Sequence, residues 1–316
     1  MASIVPILAP MAGYTDLPFR RACRRYGLYY GTTALIDAGA LVHDNPDSAA
    51  ILHRGEEEEW LQVQLLGSIP SDLRRSTEIL RDGPWHFDVL DFNMGCPVHK
   101  VAKRKAGAAL MREQELAFEC VSVIREIWPG RLTVKMRILD EEEPAPTVEL
   151  AQKLVSLGVQ GLAIHGRLAK MVYSGPVHTN IIRAVREAVP VTVTANGGVF
   201  HWEDARKLSE ETGCDRIMVA RGAIGHPWIF RELLQQEPYL PTKEERLDLM
   251  EFHLAEMVKE YGERGAMILG RKIVSGYICG QGFPRELRAS VVKICTWQDF
   301  QTLLVALRND AAGRAY

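Results

Sequence analysis

A cysteine lies between a glycine and a proline at the end of the stretch Asp91-Phe92-Asn93-Met94-Gly95-Cys96-Pro97. Gly95 tolerates an unusual φ, while Pro97 fixes the next φ and removes a donor, so the thiol should sit on a rigid turn. Asn93 can offer an amide to a heterocycle. A free cysteine is more often a small buried apolar residue. The rest of the chain bears on which reading applies to Cys96.

Other polar residues also interrupt or end apolar runs. Lys135 lies within the run 132–137; it is either a lysine whose stem packs while its head escapes to water, or a cation held beside a group that gains negative charge. His165 ends the run 161–165, as a structural histidine or a functional one. Gln64 lies near the end of another run and offers both a donor and an acceptor. Asn196-Gly197-Gly198 and Arg221-Gly222 follow two later runs. Glycines there let backbone N–H groups approach a phosphate, and Arg221 adds a charge-assisted contact. A phosphate cradle, a cation, a histidine and two amides suit bound flavin mononucleotide (FMN). Lys135 and His165 would stabilise its reduced, anionic ring, and the amides would read its edge.

These residues need a scaffold that gathers run ends. Eight β-branched-rich runs, bounded by Gly, Pro or Asn, occupy 4–9, 29–36, 61–66, 89–94, 132–137, 161–165, 191–195 and 216–220. Helix-period segments at 73–80, 116–127, 148–157, 181–189 and 205–212 lie between most of them. Asp16, Ser71, Thr147 and Thr179 are candidate helix caps. Residues 38–59 read as an exposed loop with room for one short helix or hairpin. The expected fold is α/β, a closed (β/α)8 TIM barrel, with a doubly wound open sheet as the runner-up. The barrel is preferred because the unusual residues all fall at run ends, which such a fold brings to one face. After a proline-marked linker at 237–241 the pattern is helical only, over 243–261, 267–278, 285–293 and 297–307. This gives a barrel domain at 1–238 and a small all-α helical bundle at 242–316.

The chain has 38 basic and 40 acidic side chains, so no global field draws nucleic acid. Three local clusters are basic: Arg20, Arg21, Arg24 and Arg25; Lys100, Lys103, Arg104, Lys105 and Arg112; and Arg271, Lys272, Arg285, Arg288 and Lys293. Each can be a solvated helix face, or together they can form a phosphate-backbone footprint. The six scattered cysteines include no CxxC pair, so neither a metal site nor a disulfide framework is suggested, and a reducing cytoplasm is the expected setting. No apolar run has membrane-spanning length.

The chain resembles the tRNA-dihydrouridine synthase family. The matching stretches are 8–16, 63–67, 91–97, 134–137, 165–167, 173–175, 196–198, 218–221 and 227–230, with Asn93-Met94-Gly95-Cys96-Pro97 the most specific. Arg271-Lys272 and Gly282-Phe283-Pro284 are similar to the tail of its bacterial B-type branch. The resemblance implies FMN in the barrel mouth, NADPH as reductant and a uridine of tRNA as substrate, flipped out of its stack. It implies flavin hydride to uracil C6 and a proton from Cys96 to C5. Thiols suit that role because they titrate not far above neutrality. Pro10, Met11 and Ala12 would meet the flavin by backbone, and Gln64, Lys135 and His165 would lie along the ring. Asn196, Gly197, Gly198, Ala220 and Arg221 would hold the phosphate. Asn93, Arg137 and Arg167 would face the substrate. A cytoplasmic monomer is expected.

The chain departs from the family pattern at Ala102, where an Asn is usual, at Leu168-Ala169, where Thr-Arg is usual, and at Ile273, where a His often follows Arg-Lys. The departures fall on the substrate side and leave open which RNA and which uridine are involved. A small-molecule FMN oxidoreductase of pyrimidine or dihydroorotate type and a non-catalytic RNA-binding flavoprotein are the alternatives. The basic clusters and the helical tail favour an RNA substrate, since a free base needs neither.

Overall fold

A computed structural model describes residues 3–43 and 45–311. Eight parallel strands form one sheet: β1 (Val5–Leu8), β2 (Gly31–Asp37), β3 (Leu61–Leu66), β4 (Val89–Met94), β5 (Arg131–Arg137), β6 (Gly161–His165), β7 (Thr192–Asn196) and β8 (Arg216–Val219). Neighbouring strands pair from β2 through to β8, and β8 pairs with β1. A parallel bridge between Ile7 and Tyr30 joins β1 to the start of β2 and completes the ring. The fold is a (β/α)8 barrel followed by a C-terminal helical region.

Strand pleating sorts the residues by face. On β4, Leu90, Phe92 and Met94 are wholly buried and belong to the main hydrophobic cluster, as do Val63 and Leu65 on β3 and Leu132, Val134 and Met136 on β5. The alternate residues, Gln62 and Gln64, Asp91 and Asn93, Thr133, Lys135 and Arg137, share the other face, toward the barrel axis. The β3–β5 side of the barrel interior is therefore polar in a fold whose interior is usually branched and apolar, while Ile7, Ala9, Ala163 and Met218 form an apolar cluster on the side of β1, β6 and β8.

Of the candidate caps, Asp16 accepts the Phe19 N–H at 2.9 Å and caps the helix Leu17–Arg24. Ser71 lies inside the helix Pro70–Asp82, which Ile69 precedes; Pro70, pre-set in φ, begins it. Thr147 lies inside Ala145–Ser156, and its hydroxyl accepts the Leu139 N–H instead. Thr179 is the first residue of Thr179–Ala188 rather than its cap.

The segment 38–59 is not a simple exposed loop. It carries two helices, Ala38–Val42 and Pro46–Leu52, and ends in a nearly inaccessible glutamate, Glu58. Glu58 takes the Nε and Nη2 of the fully buried Arg20 at 2.8 Å each, and Arg24 Nε at 3.3 Å. Arg24 also donates to the Trp60 carbonyl, and Arg21 pairs with Glu57 and Glu256. Three of the four arginines in the first basic cluster are thus engaged in joining helix, loop and tail. For Arg20, Arg21 and Arg24 a phosphate-binding reading is corrected accordingly, since the Nε and both Nη groups of each are engaged by carboxylates and backbone carbonyls.

The long helix Lys243–Ile278 breaks at Gly262 (φ +68°, ψ 164°), which separates the two helical segments expected at 243–261 and 267–278. The helices Arg285–Ser290 and Trp297–Asn309 follow. The tail shares one hydrophobic cluster with the barrel, including Leu247, Met257, Tyr277 and Phe300. Ile273, one of the departures, is 3% exposed within that cluster. Docking is close: a Cβ on Gly225, in the loop after β8, would lie 2.1 Å from the backbone of Gly276. The Tyr261 hydroxyl donates to Asp16 Oδ2 at 2.9 Å.

Candidate active site

The C-terminal ends of the strands surround a cavity of about 440 Å3, within the range of about 300–1,000 Å3 typical of ligand sites. Strand register builds it. Asn93 on β4 is opposite Lys135 on β5, Arg137 on β5 opposite His165 on β6, and His165 opposite Asn196 on β7. Pro10, Met11 and Ala12 after β1, Gly197 and Gly198 after β7, and Ala220 and Arg221 after β8 also line it, as do Cys96 and Arg167.

Gln64 is the one expected site residue that does not line the cavity. It is wholly buried beneath it, and both ends of its amide are engaged: Nε2 donates to Asp91 Oδ2 and Oε1 accepts from Asn93 Nδ2, each at 2.7 Å. Both ends of its amide are tied down within the barrel, one layer below the mouth.

The turn at Cys96 is held by Asn93, whose Oδ1 accepts the backbone N–H of Gly95 at 3.0 Å and of Cys96 at 2.9 Å. Asn93 lines the cavity, and its Nδ2 makes one hydrogen bond among the described residues, to Gln64, out of the two it can donate. The chain then loops through the short helix His99–Ala102 and returns. The Ala108 N–H donates to the Cys96 carbonyl at 2.9 Å, and a Cβ on Gly107 would lie 2.6 Å from that oxygen. Cys96 is partly exposed, whereas Cys23, Cys120 and Cys214 are buried. Its thiol is therefore presented to the cavity rather than packed into the core.

Four cations line the site, Lys135, Arg137, Arg167 and Arg221, with no Asp or Glu among the lining residues. Burial, and secondarily Arg137, lowers the Lys135 ammonium to about 8, so it remains charged at neutral pH. Its Nζ donates to Asn196 Oδ1 at 3.0 Å, while Asn196 Nδ2 donates to the Met218 carbonyl. Burial and then Lys135 push His165 down to about 2. The imidazole is neutral. Arg167 Nη1 lies 3.3 Å from Nε2; an arginine can only donate, so Nε2 accepts and Nδ1 carries the proton. His165 offers a hydrogen bond, not a charge.

Arg137 is 3% exposed and donates to the carbonyls of Gly95, Leu168 and Val172. It ties the cysteine turn to the loop after β6. Arg167 donates to the Gly175 carbonyl. Arg221 lies between two rings, 4.3 Å from Tyr173 and 5.8 Å from Phe200. A Cβ on Gly222 would lie 2.1 Å from the Val199 carbonyl oxygen, so the loops after β7 and β8 touch backbone to backbone.

Tyr14, Tyr173 and Phe200 line the cavity but were not expected from the sequence, although Tyr14 and Tyr173 lie inside stretches that matched the family. The tail reaches the rim here: Lys272 Nζ is 4.7 Å from the centre of the Tyr14 ring. No helix among the described residues is long and apolar enough to cross a membrane.

A family model described as dihydrouridine synthase (Dus) matches residues 7–311. The chain is 34% identical to tRNA-dihydrouridine synthase B of Pseudomonas aeruginosa, over 98% of this chain and 93% of that protein. It is 34% identical to the protein of that name from Vibrio cholerae, covering 86% of this chain and 85% of the other. Among solved structures, histamine dehydrogenase from Rhizobium sp. 4-9 superimposes with a TM-score of 0.52 at 13% identity, over 87% of this chain and 48% of that one. An amine oxidase from Pseudomonas geniculata N1 gives 0.52 at 12% identity, over 73% of this chain and 47% of that one. This chain spans about half of each, and the likeness is one of fold.

Proposed function

We propose that this chain, which belongs to the dihydrouridine synthase family, reduces uridine to 5,6-dihydrouridine in tRNA, with FMN as cofactor and NADPH as reductant. The observation that carries this reading is the Cys96 thiol facing a cavity whose charged lining is entirely basic.

The residues fit FMN. The cavity has suitable volume, excludes acids, and ends in the glycine-lined contact between the loops after β7 and β8. Gly197, Gly198, Ala220 and Arg221 would hold the phosphate, and Pro10 to Ala12 would meet the ring by backbone. Lys135 and the His165 Nδ1–H would lie along it. When bound, FMN supplies the hydride that adds to uracil C6.

The chain's own residues do the rest. Cys96 gives the thiol proton to C5 as the C5–C6 double bond is lost, and becomes a thiolate. Lys135 and Arg137 line the same cavity as Cys96. Asn93 fixes the turn, and its remaining N–H is available to a uracil carbonyl. A uridine must leave its stack to reach this depth.

For RNA, the second and third basic clusters remain. Lys100, Lys103 and Arg112 are exposed beside the cysteine loop, as are Arg285, Arg288 and Lys293 in the tail, and none forms an ion pair among the described residues. Residues 1–238 are read as the FMN-binding unit and 242–316 as the RNA-binding one, in the cytoplasm. The test is mass-spectrometric mapping of dihydrouridine in RNA from a strain lacking the gene, with and without the restored chain. A lost and restored dihydrouridine is expected and names the position; an unchanged RNA would overturn the reading.

A further inference from the structure

Below the cavity, the carboxyl group of Asp91 is wholly buried. It faces a second, smaller cavity of about 210 Å3 at the opposite end of the barrel and does not line the upper one. Two donors reach it: the Thr133 hydroxyl at 2.5 Å on Oδ1 and Gln64 Nε2 at 2.7 Å on Oδ2. From Gln64 the bonds continue upward to Asn93, and from Asn93 to the backbone N–H groups of Gly95 and Cys96.

Every link in this series has the same polarity. Backbone N–H groups only donate, so Asn93 must turn Oδ1 toward them and Nδ2 toward Gln64. Gln64 must then present Oε1 upward and Nε2 downward. The residue below must accept. An ionised carboxylate is acceptor-only, so it closes the series without ambiguity. An apolar residue at 91 would leave Nε2 buried and unpaired, and a buried unpaired amide turns or shifts to find a partner. The pleat makes this possible, because residues 91 and 93 share a face of β4 and Gln64 is level with Asp91 in the β3–β4 register.

We propose that Asp91 is a positioning residue for Cys96: as the buried acceptor that ends the series through Gln64 and Asn93, it sets the turn that aims the thiol. Asp91 touches neither substrate nor cofactor. A buried acid is costly, and burial pushes this one up to about 6 against the opposing effects of Gln64, Thr133 and Lys135.

The consequence for turnover rests on the reading of Cys96 as proton donor; the geometry does not, and it can be measured in the purified protein without RNA. The rate of iodoacetamide labelling at Cys96, read peptide by peptide, reports the aim of the thiol, with exposed Cys279 and Cys295 as internal references. Asp91→Leu should change the Cys96 rate at least fivefold and leave the references alone. Asp91→Asn, which can still offer an oxygen to Gln64, should restore it to within twofold of the parent. Thr133→Val, which removes the other donor but leaves the series whole, should leave the rate unchanged. If Asp91→Leu does not fold, Gln64→Met breaks the series at the next link and should give the same shift. A parental Cys96 rate in folded Asp91→Leu or Gln64→Met, or an equal shift in Asp91→Asn or Thr133→Val, overturns the proposal. In dihydrouridine assays Asp91→Leu should lower kcat with KM for RNA unchanged. Loss of the labelling effect would reject the role of Asp91, whereas full turnover by Cys96→Ala would reject the proton donor.

Discussion

The ammonium of Lys135 donates to the side-chain oxygen of Asn196 at 3.0 Å, reaching from β5 to β7 past the intervening strand. The bond holds a buried cation with no acid beside it in the cavity lining. Its pH signature has a definite sign. The folded state lowers this lysine from 10.5 to about 8, so between those values the folded chain binds fewer protons than the unfolded chain. This lysine's contribution to stability therefore rises with pH across that window, while the thiols of Cys23, Cys120 and Cys214, which burial pushes up, act in the opposite sense at its alkaline end. The difference in unfolding free energy between the parent and Lys135→Met, followed from pH 7.5 to 10.5, isolates the lysine and should move in favour of the parent as pH rises. Dihydrouridine formation should fall as pH climbs through about 8 and the ammonium is lost.

Replacing Cys96 by alanine removes the acid but none of the hydrogen bonds that shape its turn, which are made by backbone atoms. Cys96→Ala should therefore fold and bind FMN, seen as visible absorbance, and reduce it with NADPH. Dihydrouridine formation should fall by about 100- to 10,000-fold, the usual worth of a positioned proton donor. The check is quantitation of the modified nucleoside in digested RNA; near-parental turnover would remove Cys96 from the chemistry.

Basic residues of the first and second clusters should separate by function. Arg20 and Glu58 are fully inaccessible partners, so Arg20→Met leaves a buried carboxylate with only the longer Arg24 contact and the Gly55 N–H, and should cost about 3 kcal/mol. Lys100, Lys103 and Arg112 lie exposed without ion pairs among the described residues. Their combined change to glutamine should leave the melting temperature within about 2 °C, as surface substitutions do. RNA affinity should weaken, and its salt dependence should become shallower by about 0.7–0.9 in log–log slope per lost contact. Calorimetry and filter binding at several salt concentrations read the two effects.

The seam between Gly225 and Gly276 admits no side chain on Gly225, where φ is +70° and a Cβ would meet backbone at 2.1 Å. Gly225→Ala should push the tail helix off the barrel rim, carrying Lys272 away from Tyr14. RNA binding should suffer while FMN absorbance is retained. Protease susceptibility near residues 237–241 is the structural readout, and unchanged cleavage together with unchanged RNA affinity would reject this view of the docking.

Much of this protein is legible in its sequence. Local patterning marks the eight strands, the helical tail and even its break near Gly262, because burial alternates every second residue on a strand and about every third or fourth on a helix. The chemical types at the strand ends also stand out, since polar residues ending apolar runs conflict with simple burial. What those residues touch is decided by closure of the barrel and return of the chain. Arg20 reads as a solvated cation until Glu58 arrives from 38 positions away. Gln64 looks like a ring-edge amide until Asp91 and Asn93 occupy both its ends. Arg137 looks substrate-facing until three carbonyls claim its donors. The sequence by itself determined which residues are polar inside a barrel and at which end they gather. Only the tertiary structure decided which of them remain unspent, because a hydrogen-bonding group is exhausted by partners that hydropathy and spacing do not encode.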